Sequence, residues 1–276
     1  MNNGRIQLHR AGAVATVVLD RPEAHNALTL AMWRDLAETV RQLSVEKTIR
    51  VIVIRGAGER AFSAGADIRE FPERRTGLTA AWAYDRLVGA ALETIQDAPQ
   101  PVLAVIRGLA VGGGLELAAA CDIRIAAEDA RLGLPIGRLG VMPGLAETRA
   151  LLRLLPPGKI VELVMRGELL TAGEAVRLGL VTEVVPVEEL QAAVQRWTDR
   201  LLALSPETLR ATKHAVRLAT GGSTPDDPRY RALLASVYES EAYREGVRAF
   251  LEKRAPEFRE DRSLPEHPSG EQQRRG

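Results

Sequence analysis

The sequence predicts an α/β fold followed by a helical region. Short apolar strands alternate with amphipathic helices over residues 1–200, and two turns rich in glycine and alanine lead from strands towards helices. This alternation is typical of α/β proteins and excludes an all-α or all-β architecture. Residues 201–262 follow an almost wholly helical pattern. The polar tail at 263–276, which contains proline and glycine, is expected to be disordered.

The first elements of the chain are a hairpin and a helix. Residues 5–9 and 14–19 alternate or run apolar around a glycine-containing turn, which indicates two neighbouring strands. Apolar residues then recur at helical spacing over 30–43. Either Asn26 or Thr29 is suited to cap this helix, because their short polar side chains accept from free main-chain amides.

The middle of the chain repeats the strand and helix pattern. A buried strand is predicted at 51–54, and a second one at 102–106. Between them, polar residues with a proline and a glycine predict a loop at 70–78, and helical spacing resumes over 80–95. A short strand is predicted at 181–185, before the helical end of the chain.

Composition limits the classes of function. The formal net charge is +1, which gives no general attraction to nucleic acid or acidic lipid. The single cysteine excludes an intramolecular disulfide and fits a reducing compartment. No signal-peptide core or convincing membrane span is found, and the four histidines lack metal-ligand spacing. We therefore expect a soluble cytoplasmic protein with no membrane partner and no metal.

The two small-residue turns, at Ser63 to Asp67 and at Gly112 to Gly114, are the candidate site. Glycine permits sharp turns and close approach of a ligand to the main chain. The first amides of a helix have no intrahelical acceptor, so they suit an anion or a developing oxyanion. Glu116 falls in the first turn of the helix that Gly112 to Gly114 open. The alternative interpretation is two ordinary tight turns and an ordinary first-turn acid.

Five motifs resemble those of the crotonase (enoyl-CoA hydratase/isomerase) family, in the same order. They are LDRPEAHNAL at 19–28, AFSAGADI at 61–68, GLAVGGGLELAAACDI at 108–123, LGVMPG at 139–144 and REGVRAFLEKRAPEF at 244–258. The resemblance implies a crotonase-like spiral of ββα units with a helical C-terminal trimerisation region. It also implies a homotrimer or a dimer of trimers. Coenzyme A would enter as part of the substrate, so no separate cofactor is expected.

The resemblance also implies residue roles. The amides of Ala66 and Gly113 would donate to the thioester oxygen, and Glu116 would act as acid or base. Substrate-binding positions would be Ala24, His25, Ala64, Asp67, Ile68, Gly112, Pro135, Ile136, Leu139, Phe250 and Lys253. Among these, Phe250 and Lys253 would reach the coenzyme A of a neighbouring subunit.

One departure from the family pattern bears on the reaction. Hydratases carry a second glutamate after a proline, but here Ile136 follows Pro135 and cannot transfer a proton. Glu147 is a candidate substitute, although a carboxylate near a helix start is also favoured by the helix dipole alone. Asp67 and Glu70 are further candidates, which we interpret as solvated loop acids.

These residues predict an acyl-CoA-processing enzyme, by default a 2-enoyl-CoA hydratase. A double-bond isomerase or an acyl-CoA decarboxylase would use the same oxyanion site with fewer acid and base groups, so both remain alternatives. A non-catalytic protein that binds CoA esters is a third. The loop at 70–78, the region around Ile136 and the C-terminal helices are expected to determine which acyl group is accepted.

Overall fold

The computed structural model describes residues 4–258, in which strands and helices alternate. The strands are β1 (Arg5–Ala11), β2 (Val14–Asp20), β3 (Val51–Gly56), β4 (Ala61–Ser63), β5 (Val102–Ile106), β6 (Leu109–Val111), β7 (Ile123–Ala127), β8 (Arg131–Gly133), β9 (Leu170–Thr171) and β10 (Glu183–Val185). The helices are α1 (Leu30–Val45), α2 (Phe71–Arg74), α3 (Leu78–Asp97), α4 (Gly113–Ala120), α5 (Leu145–Leu152), α6 (Pro157–Arg166), α7 (Ala172–Arg177), α8 (Leu190–Leu202), α9 (Pro206–Thr220), α10 (Pro228–Tyr238) and α11 (Glu241–Leu251).

The strands form two sheets. The first has six strands in the order β1-β2-β3-β5-β7-β10, and the second has four in the order β4-β6-β8-β9. In the first sheet β1 pairs antiparallel with β2, and the other neighbours are parallel. In the second sheet β4, β6 and β8 are parallel, and β9 is antiparallel.

The chain repeats one ββα pattern. It passes from β3 to β4, from β5 to β6 and from β7 to β8, each time moving from the six-stranded sheet to the four-stranded one. A helix or helix pair follows each short strand: α2 and α3, then α4, then α5. Parallel pairing requires such crossover connections. The predicted α/β fold of ββα units is confirmed.

The hydrophobic core explains why these segments form. Strand β5 is buried along its whole length, and its apolar run packs with side chains of α1 and α3 in one hydrophobic cluster. Cys121 lies in this core and is buried, as the apolar sequence around it predicts. Thr29 is the residue that caps α1, because its hydroxyl accepts from the amide of Met32 at 3.2 Å.

The predicted loop at 70–78 is wrong in part. A 3-10 turn at Ile68–Glu70 and the short helix α2 replace its first half, and α3 already begins at Leu78. Pro72 does not prevent α2, because it occupies the first turn, where a proline leaves no intrahelical hydrogen bond unmade. This difference matters because it places the side chains of Phe71 and Arg75 beside the candidate site.

The chain divides into two compact units, with a first unit ending at Leu202 and a second beginning at Ala203. The described part of the second unit contains α9, α10 and α11, joined by short turns. The tail predicted to be disordered, 263–276, lies outside the described residues. No helix within residues 4–258 has the length and apolar character needed to span a membrane.

Candidate active site

A cavity of about 100 Å³ lies where the two small-residue turns meet the start of α5. It brings together most of the predicted site residues, which are Ala64, Ala66, Ile68, Gly112, Gly113, Glu116, Pro135, Ile136, Leu139 and Glu147. These residues come from separate turns and helices, and only the tertiary fold unites them. The cavity is therefore the candidate active site.

Two main-chain amides lie side by side in this cavity. A Cβ atom built on Gly113 would lie 3.4 Å from the amide nitrogen of Ala66, so the two turns are in close contact. Gly113 is the first residue of α4, and its amide has no intrahelical acceptor. Within residues 4–258, neither the Ala66 nor the Gly113 amide donates a hydrogen bond. Both donors are thus available to a ligand.

Local hydrogen bonds hold the first turn in place. The amide of Leu28 donates to the Gly65 carbonyl at 2.7 Å, and the Asp67 amide donates to the Leu28 carbonyl at 2.8 Å. The two bonds form a bridge that flanks Ala66 and leaves its own amide unused. Ser63 Oγ accepts from the Gly65 amide at 3.1 Å and closes the turn.

Close packing explains two glycines of these turns. A Cβ on Gly114 would collide with the Ser63 carbonyl oxygen, so glycine lets α4 approach the first turn. Gly65 has a φ of +91°, and a Cβ there would lie 2.9 Å from the Gly113 amide nitrogen. Any larger residue would separate the two amides.

Asp67 is not a solvated loop acid, and that interpretation is corrected. Its carboxylate is buried and pairs with Arg69 Nε and with Arg21 Nη1, each at 2.9 Å. The hydrogen bonds from Arg69, then those from Arg21, hold the pKa of Asp67 at about 2. Asp67 does not line the cavity. Glu70 is likewise engaged, because its Oε2 accepts from the Leu30 amide at 2.8 Å.

Glu116 is a buried carboxyl group in the cavity. Only 7% of its surface is exposed, although it belongs to the first turn of α4. The pKa of Glu116 is raised to about 8, mainly by burial and to a smaller extent by the charge of the nearby Glu147. The pKa is lowered in part by the guanidinium of Arg75. Desolvation therefore outweighs the stabilisation of the anion by the helix start.

Glu147 is the second buried carboxyl group in the cavity. It lies in the first turn of α5, is 5% exposed, and its Oε2 has no hydrogen-bond partner among residues 4–258. Burial raises the pKa of Glu147 to about 7, while its hydrogen bond to main chain lowers it and Asp85 raises it. A Cβ on Gly144 would collide with both Asp85 Oδ1 and Glu147 Oε2, so those two oxygens are close.

These raised pKa values predict how stability depends on pH. The folded protein keeps protons on Glu116 and Glu147 at pH values where an unfolded glutamate, with a pKa of 4.5, has lost its own. The free energy of unfolding therefore falls as pH rises from about 4.5 to about 8. Glu116→Gln removes one such group. We expect it to exceed the wild type in stability at pH 8 by about 1 kcal/mol or more, or about 2–4 °C in Tm.

Thermal unfolding of both proteins between pH 5 and pH 8 checks this prediction. The exposed acid Glu128 supplies the control, and Glu128→Gln should keep the pH slope of the wild type. Parallel curves for Glu116→Gln and the wild type would contradict the burial of a protonated carboxyl group.

Four further residues of the cavity are not individually predicted from the sequence, although two of them, Phe71 and Arg75, lie in the segment 70–78 that is expected to determine acyl specificity. Trp33, Phe71, Arg75 and Tyr84 line it together with the two acids. The Tyr84 hydroxyl and Trp33 Nε1 are buried and have no hydrogen-bond partner in the described chain. Aromatic residues make up only 4% of the sequence. Composition does not show that Trp33, Phe71 and Tyr84 meet at one cavity, because the fold brings them together.

Several predicted residues do not line the cavity. Ala24 ends a 3-10 turn, and the carbonyl of His25 accepts from the Ala64 amide at 2.9 Å, so this motif supports the first turn from behind. In the second unit, Phe250 is 82% exposed on α11, and Lys253 follows that helix with a φ of 55°. Among residues 4–258 no group of three or more His, Cys, Asp or Glu side chains is arranged to hold a metal ion.

The fold and site define a class of protein: an α/β enzyme with two free amides and two buried carboxyl groups in one cavity. The family profile described as Enoyl-CoA hydratase/isomerase matches residues 9–261. The chain belongs to the enoyl-CoA hydratase/isomerase family, and the resemblance of its five motifs is confirmed.

Individual relatives agree with the family profile. The (E)-benzylidenesuccinyl-CoA hydratase of Thauera aromatica is 35% identical over 255 residues, which cover 92% of this chain and 98% of that protein. The crotonyl-CoA hydratase of Syntrophomonas wolfei is 34% identical and covers 92% and 97%. A crystal structure of an enoyl-CoA hydratase/carnithine racemase from Magnetospirillum magneticum gives a TM-score of 0.87 at 39% identity, covering 94% and 96%.

Proposed function

We propose that this enzyme adds water to the conjugated double bond of a 2-enoyl-CoA thioester. The observation that carries the proposal is the pair of buried carboxyl groups, Glu116 and Glu147, in a cavity that also holds two unpaired amides. Hydration needs one group to activate water and another to protonate the α-carbon. Glu147 supplies the acid that Ile136 cannot.

The amides of Ala66 and Gly113 would bind the thioester oxygen. When water attacks the β-carbon, electrons move through the double bond and negative charge develops on that oxygen. Two preorganised N–H donors stabilise this enolate, and the loss of one such donor typically costs about 10² to 10³ in rate. Gly112 and Gly113 line the cavity and carry no side chain that would keep the thioester from the main chain.

The two glutamates would carry the protons. One carboxylate takes a proton from water as its oxygen bonds to the β-carbon, and the other carboxyl group gives a proton to the α-carbon. The pKa values of about 8 for Glu116 and about 7 for Glu147 favour a pair that holds a single proton near neutral pH. That state contains the one acid and the one base that the addition requires.

The second acid also separates the candidate reactions. A decarboxylase forms its enolate by loss of carbon dioxide and has no need of two proton-carrying groups. Here two carboxyl groups are kept buried in the cavity at a cost in desolvation. This favours hydration over decarboxylation and over a non-catalytic binding site.

Incubation with trans-but-2-enoyl-CoA in oxygen-labelled water tests the proposal. We expect 3-hydroxybutanoyl-CoA with one labelled oxygen at the hydroxyl, formed at a rate proportional to enzyme concentration. Turnover of a 3-enoyl thioester without hydration would indicate an isomerase instead. Release of carbon dioxide from a malonyl-type thioester without hydration would indicate a decarboxylase.

We further propose that the enzyme works as a homotrimer or a dimer of trimers in the cytoplasm. Tyr243, Val247, Phe250 and Leu251 recur at helical spacing on α11, and each is exposed. An exposed apolar helix face of this kind favours contact with another subunit. In that assembly Phe250 and Lys253 would contact the coenzyme A part of the substrate, which is the only cofactor group the proposal requires.

A further inference from the structure

Arg75 places a positive charge in the cavity beside the two acids. It lies after α2, is half-buried, and lines the cavity with Glu116 and Glu147. No carboxylate within residues 4–258 forms an ion pair with it. The one described hydrogen bond of its side chain is a long contact of 3.5 Å from Nη2 to the Met142 carbonyl. A guanidinium carries five N–H donors, so most of its binding capacity is unused.

Two aromatic rings hold the guanidinium in position. The Arg75 Cζ atom lies 5.0 Å from the ring centroid of Phe71 and 4.9 Å from that of Tyr84. The two rings contact each other edge to face, with centroids 5.7 Å apart. Stacking on aromatic faces leaves the N–H edge of a guanidinium available for a planar anion.

Tyr84 adds a second donor to this side of the cavity. Its side chain is 3% exposed, and its hydroxyl is buried and has no partner in the described part of the chain. Burial raises the pKa of Tyr84, so the hydroxyl stays protonated and able to donate. An unpaired buried hydroxyl is costly, which favours a ligand that accepts from it.

We propose that Arg75, with the Tyr84 hydroxyl, binds a carboxylate on the acyl group, so that the substrate is the mono-CoA thioester of a short unsaturated dicarboxylic acid. The inference rests on the proposed hydratase function and names its substrate class. Arg75 is a specificity residue in this scheme and takes no part in proton transfer. Charge supports the assignment, because burial keeps the two glutamates from being fully ionised and reduces their repulsion of a bound carboxylate.

The cavity, of about 100 Å³, has room for a short acyl group beside Arg75. The same guanidinium lowers the pKa of both Glu116 and Glu147, so a carboxylate bound to it lies near the reacting carbons.

Two matched thioesters test the inference. The mono-CoA thioester of trans-pent-2-enedioate differs from trans-pent-2-enoyl-CoA only in carrying a carboxylate where the latter has a methyl group. We expect the wild type to have a kcat/KM at least about 10-fold higher for the dicarboxylate, as a charged hydrogen bond of ordinary strength gives. Arg75→Met should remove this preference, because it should lower kcat/KM for the dicarboxylate thioester at least about 10-fold more than kcat/KM for pent-2-enoyl-CoA.

Two control variants test whether the preference depends on the guanidinium of Arg75 in particular. Arg74→Met changes an exposed arginine of the same segment that does not line the cavity, and it should keep the preference. Arg75→Lys should keep part of it, because the charge remains but the planar donor pair is lost.

Three outcomes are decisive. Hydration of both thioesters at equal kcat/KM by the wild type overturns the substrate class and leaves the hydratase function intact. Hydration of neither thioester, nor of but-2-enoyl-CoA, overturns the hydratase function itself. An equal loss of kcat/KM for both thioesters in Arg75→Met would mean that Arg75 contacts the shared coenzyme A or serves the glutamates, and would also overturn the inference.

Discussion

Glu116→Gln and Glu147→Gln are each expected to lower kcat for hydration of but-2-enoyl-CoA by about 10² to 10⁴-fold. Glutamine preserves the size of the side chain but cannot take or give a proton at neutral pH. Each acid is expected to serve one of the two proton transfers, so the loss of either one interrupts the reaction. Steady-state rates at saturating thioester, with KM measured in parallel, check the prediction. KM should change much less than kcat, because the amides of Ala66 and Gly113 remain.

The exposed acid Glu128 gives the matched control, since Glu128→Gln makes the same chemical change outside the cavity. It should retain the kcat of the wild type. The double variant Glu116→Gln/Glu147→Gln should lose little more than either single one, because residues that act as a unit are strongly non-additive. Wild-type activity in Glu147→Gln would show that Glu147 is only a buried helix-start acid. Recovery of activity in Ile136→Glu/Glu147→Gln would instead support the exchange of acid positions.

The fold and half of the site were predictable because their signals are local. The alternation of strands and helices, the glycines at 112–114 and Glu116 are all visible within a few residues of sequence. Gly65 and Gly114 occur where two backbones approach closely, and only glycine leaves room for that approach. The motif resemblance implies how these elements are arranged, as a spiral of ββα units.

The rest of the site depends on contacts between distant segments. The burial of Glu147 arises from the packing of α5 in the fold, and no feature of its own helix distinguishes it from an exposed first-turn acid. The sequence predicts only a polar loop around Arg75, because its aromatic partners come from two different helices, α2 and α3. The periodicity of apolar residues describes one helix at a time and does not predict contacts between side chains of different helices.

The environment of Asp67 also depends on a distant residue that the local sequence does not reveal. A carboxylate in a small-residue turn has the sequence character of a solvated acid. Its partner Arg21 is 46 residues away and supplies a buried ion pair. A buried charge is tolerated only when it is paired, so the pairing decides the environment of Asp67 and the local sequence does not. What the sequence classed as a candidate acid is a structural support of the turn that holds Ala66.

Gly65→Ala is expected to lower kcat by about 10² to 10³-fold, comparable to the loss of one oxyanion donor. The added Cβ would lie 2.7 Å from the Val111 carbonyl oxygen and 2.9 Å from the Gly113 amide nitrogen. Since both of these atoms are main chain, the clash is relieved only by moving one turn away from the other. The two amides then no longer converge on one oxygen. The φ of +91° also strains any side chain there and costs about 1–3 kcal/mol.

Gly12→Ala separates this loss of convergence from simple strain. Gly12 also has a left-handed φ, of +57°, but a Cβ there meets nothing within 4 Å. We expect Gly12→Ala to lower Tm by a few degrees and to leave kcat unchanged, whereas Gly65→Ala lowers both. Rates are compared well below the Tm of each variant, so that unfolding does not contribute. A Gly65→Ala enzyme with wild-type kcat would mean that close contact of the two turns is unnecessary for catalysis, and the amide pair would lose its proposed role.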